Sequence, residues 1–170
     1  MSPSKRLPED PIGLKTVKGN LLDLLDDGIF DIVAHGCNCF HTMGSGFAGE
    51  LVKRYPQALH ADQRDSVLGD QKKMGTYTSC VVDTPSGKRV RLANLYTQYY
   101  YGTGYAGGEH FRLHALKSGL ERLFEDHPGQ LIGIPLIGGG LGQGPKQAIR
   151  DLIAYFQTRK GNLVLVELPE

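Results

Sequence analysis

The sequence predicts an α/β domain with a mixed, mostly parallel sheet of about six strands, covered by helices on both faces. Two observations carry that expectation. β-forming and helix-forming stretches follow one another in the order β-β-α-α-β-β-α-β-α-β. Glycine-rich loops also stand twice between a strand and a helix, where open α/β sheets hold their ligands.

Each element has a local reason. Met1 to Pro11 holds three prolines and mixed charge, which predicts a frayed leader over residues 1–11 and one domain over 12–170. Leu14 to Lys18 alternates as a first strand, Gly19-Asn20 ends it, and Leu21 to Leu25 makes a short helical turn. Ile29 to Ala34 is an apolar run between Gly28 and Gly36, a buried strand by pattern. Phe47, Leu51 and Tyr55 share one helical face, and Pro56 opens a second helical stretch to about Val67. Gly69 to Gly75 reads as a loop. Tyr77 to Asp83 and Val90 to Thr97 flank the turn Pro85-Ser86-Gly87 as a hairpin. Gln98 to Gly108 is too rich in glycine to be regular. A helix follows through Leu116, Leu120 and Phe124, then a strand Leu131 to Ile134, a second glycine loop at 138–144, a helix opened by Pro145, and a last strand Leu163 to Leu168.

Composition bounds the function. A chain of 170 residues with 40% hydrophobic and 22% charged residues is long enough for one well-cored domain. Its formal net charge of +1 gives no general attraction to nucleic acid or membrane, and Lys72-Lys73 and Lys88-Arg89-Arg91 read as solvated surface. No apolar run approaches the roughly 20 residues of a membrane helix, and the polar N-terminus is no signal peptide. Three cysteines make no secreted disulfide framework, so a reducing cytoplasm and a monomer are the expected setting.

The stretch from His35 to Gly49 organises the chain. A strand, a glycine loop and a helix N-terminus in that order suit an anion, because free N–H groups and the helix dipole point at it. A second such loop at 138–144 suits a diphosphate, or a phosphate and a ribose. Gly44-x-Gly46-x-x-Gly49 matches the dinucleotide fingerprint in letters, but the loop from Cys37 to Met43 is long and no acid ends the next strand, so a Rossmann dehydrogenase is not expected. His35, Cys37, Cys39 and His41 alternate like zinc ligands. Along a strand, however, each rises about 6.6 Å past the last, too far for a tetrahedral site, so no metal and no cofactor are expected. Cys37 has no separate feature naming a base for it and reads as a small buried thiol.

Four separated motifs then carry a resemblance: Val17-Lys18-Gly19-Asn20-Leu21, His35-Gly36-Cys37-Asn38-Cys39, Gly44-Ser45-Gly46-Phe47-Ala48 and Pro135-Leu136-Ile137-Gly138-Gly139-Gly140-Leu141-Gly142. In that order, and over Lys15 to Leu168, the chain resembles a macrodomain, and within that family the ADP-ribose 1″-phosphate phosphatase type. The resemblance implies a three-layer α/β/α fold that binds ADP-ribose, or ADP-ribose 1″-phosphate, at the strand C-terminal edge. It places Asn20 and Leu21 at the adenine, with Leu168 packing under it. Gly44, Ser45, Gly46 and Phe47 would form the first phosphate and distal-ribose loop, and Ile137, Gly138, Gly139, Gly140, Leu141 and Gly142 the second. Asn38 matches the asparagine that bonds the distal ribose, and His35 the histidine implicated in hydrolysis, as a general acid–base. A satisfied strand histidine with an inward ring is the competing reading of His35.

Two departures narrow the chemistry. Lysine-dependent glycohydrolases of the family carry their lysine near Tyr96 to Tyr99, where this chain has Gln98, and an aspartate where Gly142 stands. Lysine-dependent glycohydrolysis is thus not expected, and the resemblance to the phosphatase type implies hydrolysis of ADP-ribose 1″-phosphate, with slow turnover. A reader that sequesters ADP-ribose, or a hydrolase of ADP-ribosylated protein or nucleic acid, is the alternative. The cluster Tyr96, Tyr99, Tyr100, Tyr101 and Tyr105 could stack on a base, though half or more of it should be packing.

Overall fold

Six strands form one sheet in the order β1-β6-β5-β2-β4-β3, with only β3 antiparallel to its neighbour. The computed structural model describes residues 16–44, 46–100, 111–136 and 145–168. The leader, Leu14, Lys15, Ser45, the second glycine loop from Ile137 to Gly144, Tyr101 and Tyr105 lie outside those residues. The strands are β1 (Thr16–Lys18), β2 (Ile32–Cys37), β3 (Tyr77–Asp83), β4 (Arg89–Tyr96), β5 (Ile132–Pro135) and β6 (Leu163–Glu167). The helices are α1 (Leu21–Asp26), α2 (Gly46–Arg54), α3 (Gln57–Asp65), α4 (Leu113–Asp126) and α5 (Lys146–Lys160).

Period-two alternation decides what each face buries. Ile32 and Ala34 of β2 look toward α4 and α5, where they meet Leu120, Leu123, Ile149 and Phe156. Val33 looks the other way and packs with Leu25 of α1, Leu51 of α2 and Ala58 of α3. A third, smaller cluster of Cys37, Cys39, Met43 and Tyr96 closes the C-terminal ends of β2 and β4. The layers are thus helix, sheet, helix, as expected, and no described helix is long and apolar enough to cross a membrane.

Three expectations shift. The strand read as Ile29 to Ala34 runs from Ile32 to Cys37 instead. Ile29 still belongs to the end of α1, its N–H bonding to Leu24 O at 3.1 Å. Asp31 holds the junction through Leu131 N–H at 2.8 Å and Lys88 at 2.8 Å. Pairing with β5 at Ile32 and Val33, and with β4 from Ile32 to Cys37, then carries the strand straight through Gly36. The helix read to about Val67 ends at Asp65. The stretch read as a polar loop after Gly69 contains a 3₁₀ turn, Gln71–Lys73, capped by the Asp70 side chain on Lys72 N–H at 2.9 Å. That turn buries Lys73 and leaves Lys72 exposed, so only Lys72 of the pair is solvated surface.

β2 and β5 are neighbours, yet the chain leaves them toward opposite faces, to α2 behind one and α5 behind the other. A crevice therefore opens at their C-terminal ends, at a topological switch point.

Candidate functional site

The crevice is flanked by the segment 38–44 and the N-terminus of α2. Asn38 shapes that segment: its Oδ1 accepts from Phe40 N–H at 2.8 Å and its Nδ2 donates to Thr42 O at 2.9 Å. One N–H and one lone pair of its amide stay free. Cys39 is held at both backbone groups, donating to Tyr99 O at 2.9 Å and accepting from Gly69 N–H at 2.7 Å. Gly46 starts α2 at φ 61°, in the left-handed region, and a Cβ there would meet nothing within 4 Å. Gly49 is crowded instead, since a Cβ there would stand 3.0 Å from the backbone carbon of Gly44. The third glycine of the fingerprint-like motif lets the loop lie on the helix.

At the far end of the sheet edge, Gly19 N–H bonds to Glu167 O at 2.8 Å, so Asn20 and Leu21 sit beside Leu168. Asn20 caps α1 through Oδ1 on Leu22 N–H at 2.9 Å, which leaves its amide nitrogen and one lone pair available. Leu21 is buried, while Leu168 is 70% exposed, an apolar side chain with room beside it. Ser45 and residues 137–142 of the predicted set lie outside the described residues. The structure thus groups Asn38, Gly44, Gly46 and Phe47 at β2, and Asn20, Leu21 and Leu168 at β1 and β6.

His35 lies beneath the β2 group, behind Phe47. It points to the α3 side of β2, 1% exposed, with its ring 5.7 Å from that of Phe47. Its Nε2 lies 2.7 Å from Asn94 Oδ1. The proton can be placed by satisfying the partners in turn. Asn94 Nδ2 donates to Ala58 O at 3.0 Å and to Thr78 Oγ1 at 3.1 Å, which fixes Oδ1 toward the histidine. His35 Nε2 must therefore carry the hydrogen, and Nδ1 bears the lone pair, with Cys37 Sγ 3.7 Å away. Thr78 passes its own hydrogen to Tyr96 OH at 2.8 Å, and Tyr96 donates to Asp62 Oδ1 at 2.6 Å. Every donor in this chain points toward one buried carboxylate. Burial outweighs the Asn94 bond and the Asp62 charge and pushes the His35 pKa down to about 4, so the ring is neutral at pH 7. Burial likewise raises the Cys37 thiol far from thiolate, and Cys39 to about 11, so neither is primed as a nucleophile.

The partners of this chain were not singled out from sequence. Asn94 was visible as a polar residue inside the apolar run Leu92-Ala93-Asn94-Leu95, and Asp62 shares the inner face of α3 with Ala58 and Ala61. Ser66, Lys73 and His41 complete the group. Lys73 Nζ donates to Ser66 Oγ at 2.9 Å and stands 4.7 Å over the Tyr96 ring. Gln98 turns its amide to Tyr100 O at 3.0 Å. Next to it, Thr97 Oγ1 is buried without a hydrogen-bond partner, alone in this among the described residues. Of the tyrosine cluster, Tyr96 is core, and Tyr99 and Tyr100 each meet Phe40 edge-on at 5.0 Å.

No family model matches the sequence. The chain is 35% identical over 158 residues, 91% of its length and 96% of the relative's, to an uncharacterized 17.5 kDa protein of the tk-vs intergenic region of Enterobacteria phage T4. Its structure is similar to a Bacteroides thetaiotaomicron protein of unknown function, with TM-score 0.72 and 19% identity over 92% of this chain and 98% of that one. It is similar to the macrodomain of Mycobacterium tuberculosis DarG, with TM-score 0.63 and 21% identity over 92% and 99%. A Trypanosoma brucei macrodomain in complex with ADP-ribose superposes with TM-score 0.52 and 15% identity over 90% of this chain and 62% of that one. At these identities the structural likeness is one of fold.

Proposed function

Because the chain belongs to one family with the phage T4 17.5 kDa protein and has the macrodomain fold, we propose that it binds ADP-ribose in the crevice between β2 and β5 and hydrolyses ADP-ribose 1″-phosphate there. The observation that carries this reading is the linear order of groups along the sheet edge. Asn20, Leu21 and Leu168 stand at β1 and β6, the α2 N-terminus at β2, and Asn38 where β2 adjoins β4. From β1 to β2 is three strand spacings, about 14 Å. ADP-ribose has the same order, with a base at one end, a diphosphate in the middle and a second ribose at the other.

In this reading the adenine lies against Leu168 with its polar edge on the free amide atoms of Asn20. The first-turn N–H groups of α2 receive phosphate. The spare N–H and lone pair of Asn38 hold a distal-ribose hydroxyl or a water. His35 contributes as a neutral imidazole. Its Nε2 hydrogen is committed to Asn94, so a proton can only arrive at Nδ1, and with a pKa of about 4 it serves as a base rather than as an acid at neutral pH. Water attacks C1″, the C1″–O bond breaks with its electron pair leaving on phosphate, and the proton lost by the water passes through His35 Nδ1 to the departing phosphate.

The burial of His35 favours one second reading, binding without turnover. Calorimetric titration with ADP-ribose, followed by assay of phosphate release from ADP-ribose 1″-phosphate, separates the two. Hydrolysis predicts both binding and release, with release reduced about a hundredfold or more in His35→Ala. Binding without release supports a reader, and absence of binding overturns both.

A further inference from the structure

We propose that His41 is a positioning residue for the proposed ligand loop: its imidazole, seated on Ser66 above the buried Asp62, holds segment 38–44 in the conformation that receives the distal ribose and phosphate. The inference rests on the ADP-ribose reading for what the loop receives, but not for how the loop is held.

His41 has φ 55°, and among the described residues it is the non-glycine residue in the left-handed region. Side chains resist that conformation, and such residues persist where the surroundings over-determine them. Here the surroundings are specific. His41 Nε2 lies 3.1 Å from Ser66 Oγ and 3.9 Å from Asp62 Oδ1, with the side chain only 16% exposed. Ser66 spends its single hydrogen on Asp62 O at 2.6 Å and accepts from Lys73 Nζ at 2.9 Å. The Tyr96 hydroxyl, 3.2 Å from Ser66, gives its hydrogen to Asp62. One lone pair of Ser66 is therefore left for His41, whose Nε2 must be the donor.

The position of His41 in the chain gives that bond its consequence. Asn38 clamps Phe40 and Thr42 into one turn, and His41 lies between the two clamped residues. Without the imidazole contact the turn would be shaped but not attached to α3 at this point. Three residues after His41, Gly44 lies against Gly49 of α2. A rotation of the turn therefore shifts the loop backbone at the start of the helix that the ligand phosphate is proposed to meet. The same Asp62 ends the donor chain from His35, so loop and histidine share one fixed point.

Three variants of the full chain test this: His41→Asn, which tolerates the left-handed backbone but is too short to reach Ser66; His41→Gln, whose amide nitrogen reaches the Nε2 position; and Ser66→Ala, which removes the acceptor. Hydrogen exchange at the Cys39 and Phe40 amides is read without ligand, and ADP-ribose affinity by calorimetry. We expect His41→Asn and Ser66→Ala to speed that exchange and to weaken ADP-ribose binding about tenfold, with the melting temperature of His41→Asn close to the parent's. His41→Gln should retain parental exchange and affinity. A purely structural histidine would move the melting temperature and leave affinity alone. Unchanged exchange in His41→Asn overturns the proposal, as does parental affinity in a variant whose loop has been freed. A parent chain that binds no ADP-ribose overturns the ligand reading instead, and the exchange experiment still decides whether His41 holds the loop.

Discussion

The face of the sheet under α4 and α5 and the face under α2 and α3 are both buried, yet they are assembled from different materials. On the first, Ile32, Ala34, Leu95, Leu120, Ile134 and Phe156 interlock, and the buried Gln157 of α5 donates its amide to backbone, Leu163 O at 3.0 Å. On the second, apolar packing near α1 gives way at β4 and α3 to His35, Asn94, Thr78, Tyr96 and Asp62, each satisfied by the next. An apolar layer specifies volume, and many arrangements fill it. A hydrogen-bond chain specifies direction, because one misplaced donor leaves a buried group unpaired. The polar face lies beneath the proposed ligand loop, where orientation matters more than bulk.

Substitutions can break this contrast, and the largest effect belongs to the apolar face. Leu120→Ala, at a fully buried position, should cost about 2–5 kcal/mol in urea denaturation while leaving ADP-ribose affinity of the folded fraction unchanged. A change of affinity there would mean that the two faces are not independent.

Acidification should act on the polar face through His35, while His127 at the end of α4, whose pKa burial also lowers, adds to the acid response from the other side of the sheet. The His35 imidazole titrates near 6.5 when unfolded and near 4 when folded, so below pH 6.5 the unfolded chain takes up a proton that the folded chain refuses. The stability contributed by this lowered pKa is fully present above 6.5 and is lost as pH falls toward 4, by up to about 3 kcal/mol. His35→Gln should flatten that stretch of the stability–pH curve, and an equal slope in the variant would assign the acid sensitivity elsewhere.

Asn94→Ala removes little volume but strands Ala58 O and the His35 Nε2 hydrogen. We expect a loss of about 1–3 kcal/mol, together with a rise in phosphate-release KM or a fall in kcat that Leu120→Ala does not produce. The smallest effect should come from Gly49→Ala. Its methyl gains helix propensity, by up to about 1 kcal/mol, but presses on Gly44. Net stability should stay within about 1 kcal/mol of the parent, with ADP-ribose affinity reduced several-fold by calorimetry.

Much of this contrast could be read from sequence, though not the part that gives it direction. Periodicity placed the helices, and the order of strands and helices gave the three layers, since apolar spacing is a local property. The places of Asn20, Asn38, Gly44 and Gly46 beside strand ends and helix starts were legible through their motifs. The register of β2 was not, because Asp31 and the α1 end that delay it are tied by Leu131 and Lys88, far along the chain. The donor chain was hidden for the same reason: its members come from β2, β3, β4 and α3, and no spacing links them. Lys73 looked like surface charge because nothing local reveals that a 3₁₀ turn folds it beneath Tyr96. His35 could be read two ways, and its inward, satisfied ring fits the second while leaving Nδ1 as the nitrogen through which any proton must pass.

The most direct test of the account is an amide chemical-shift titration of the full chain with ADP-ribose. The account predicts saturable shifts at Asn20, Asn38, Gly46, Phe47 and Leu168, following the sheet edge from β1 to β2. It also predicts silence at the polar groove of about 460 Å³ lined by Asp65, Ser79, Arg122 and Asp126 beside β3. Shifts centred on that groove, or none at millimolar ligand, would contradict it.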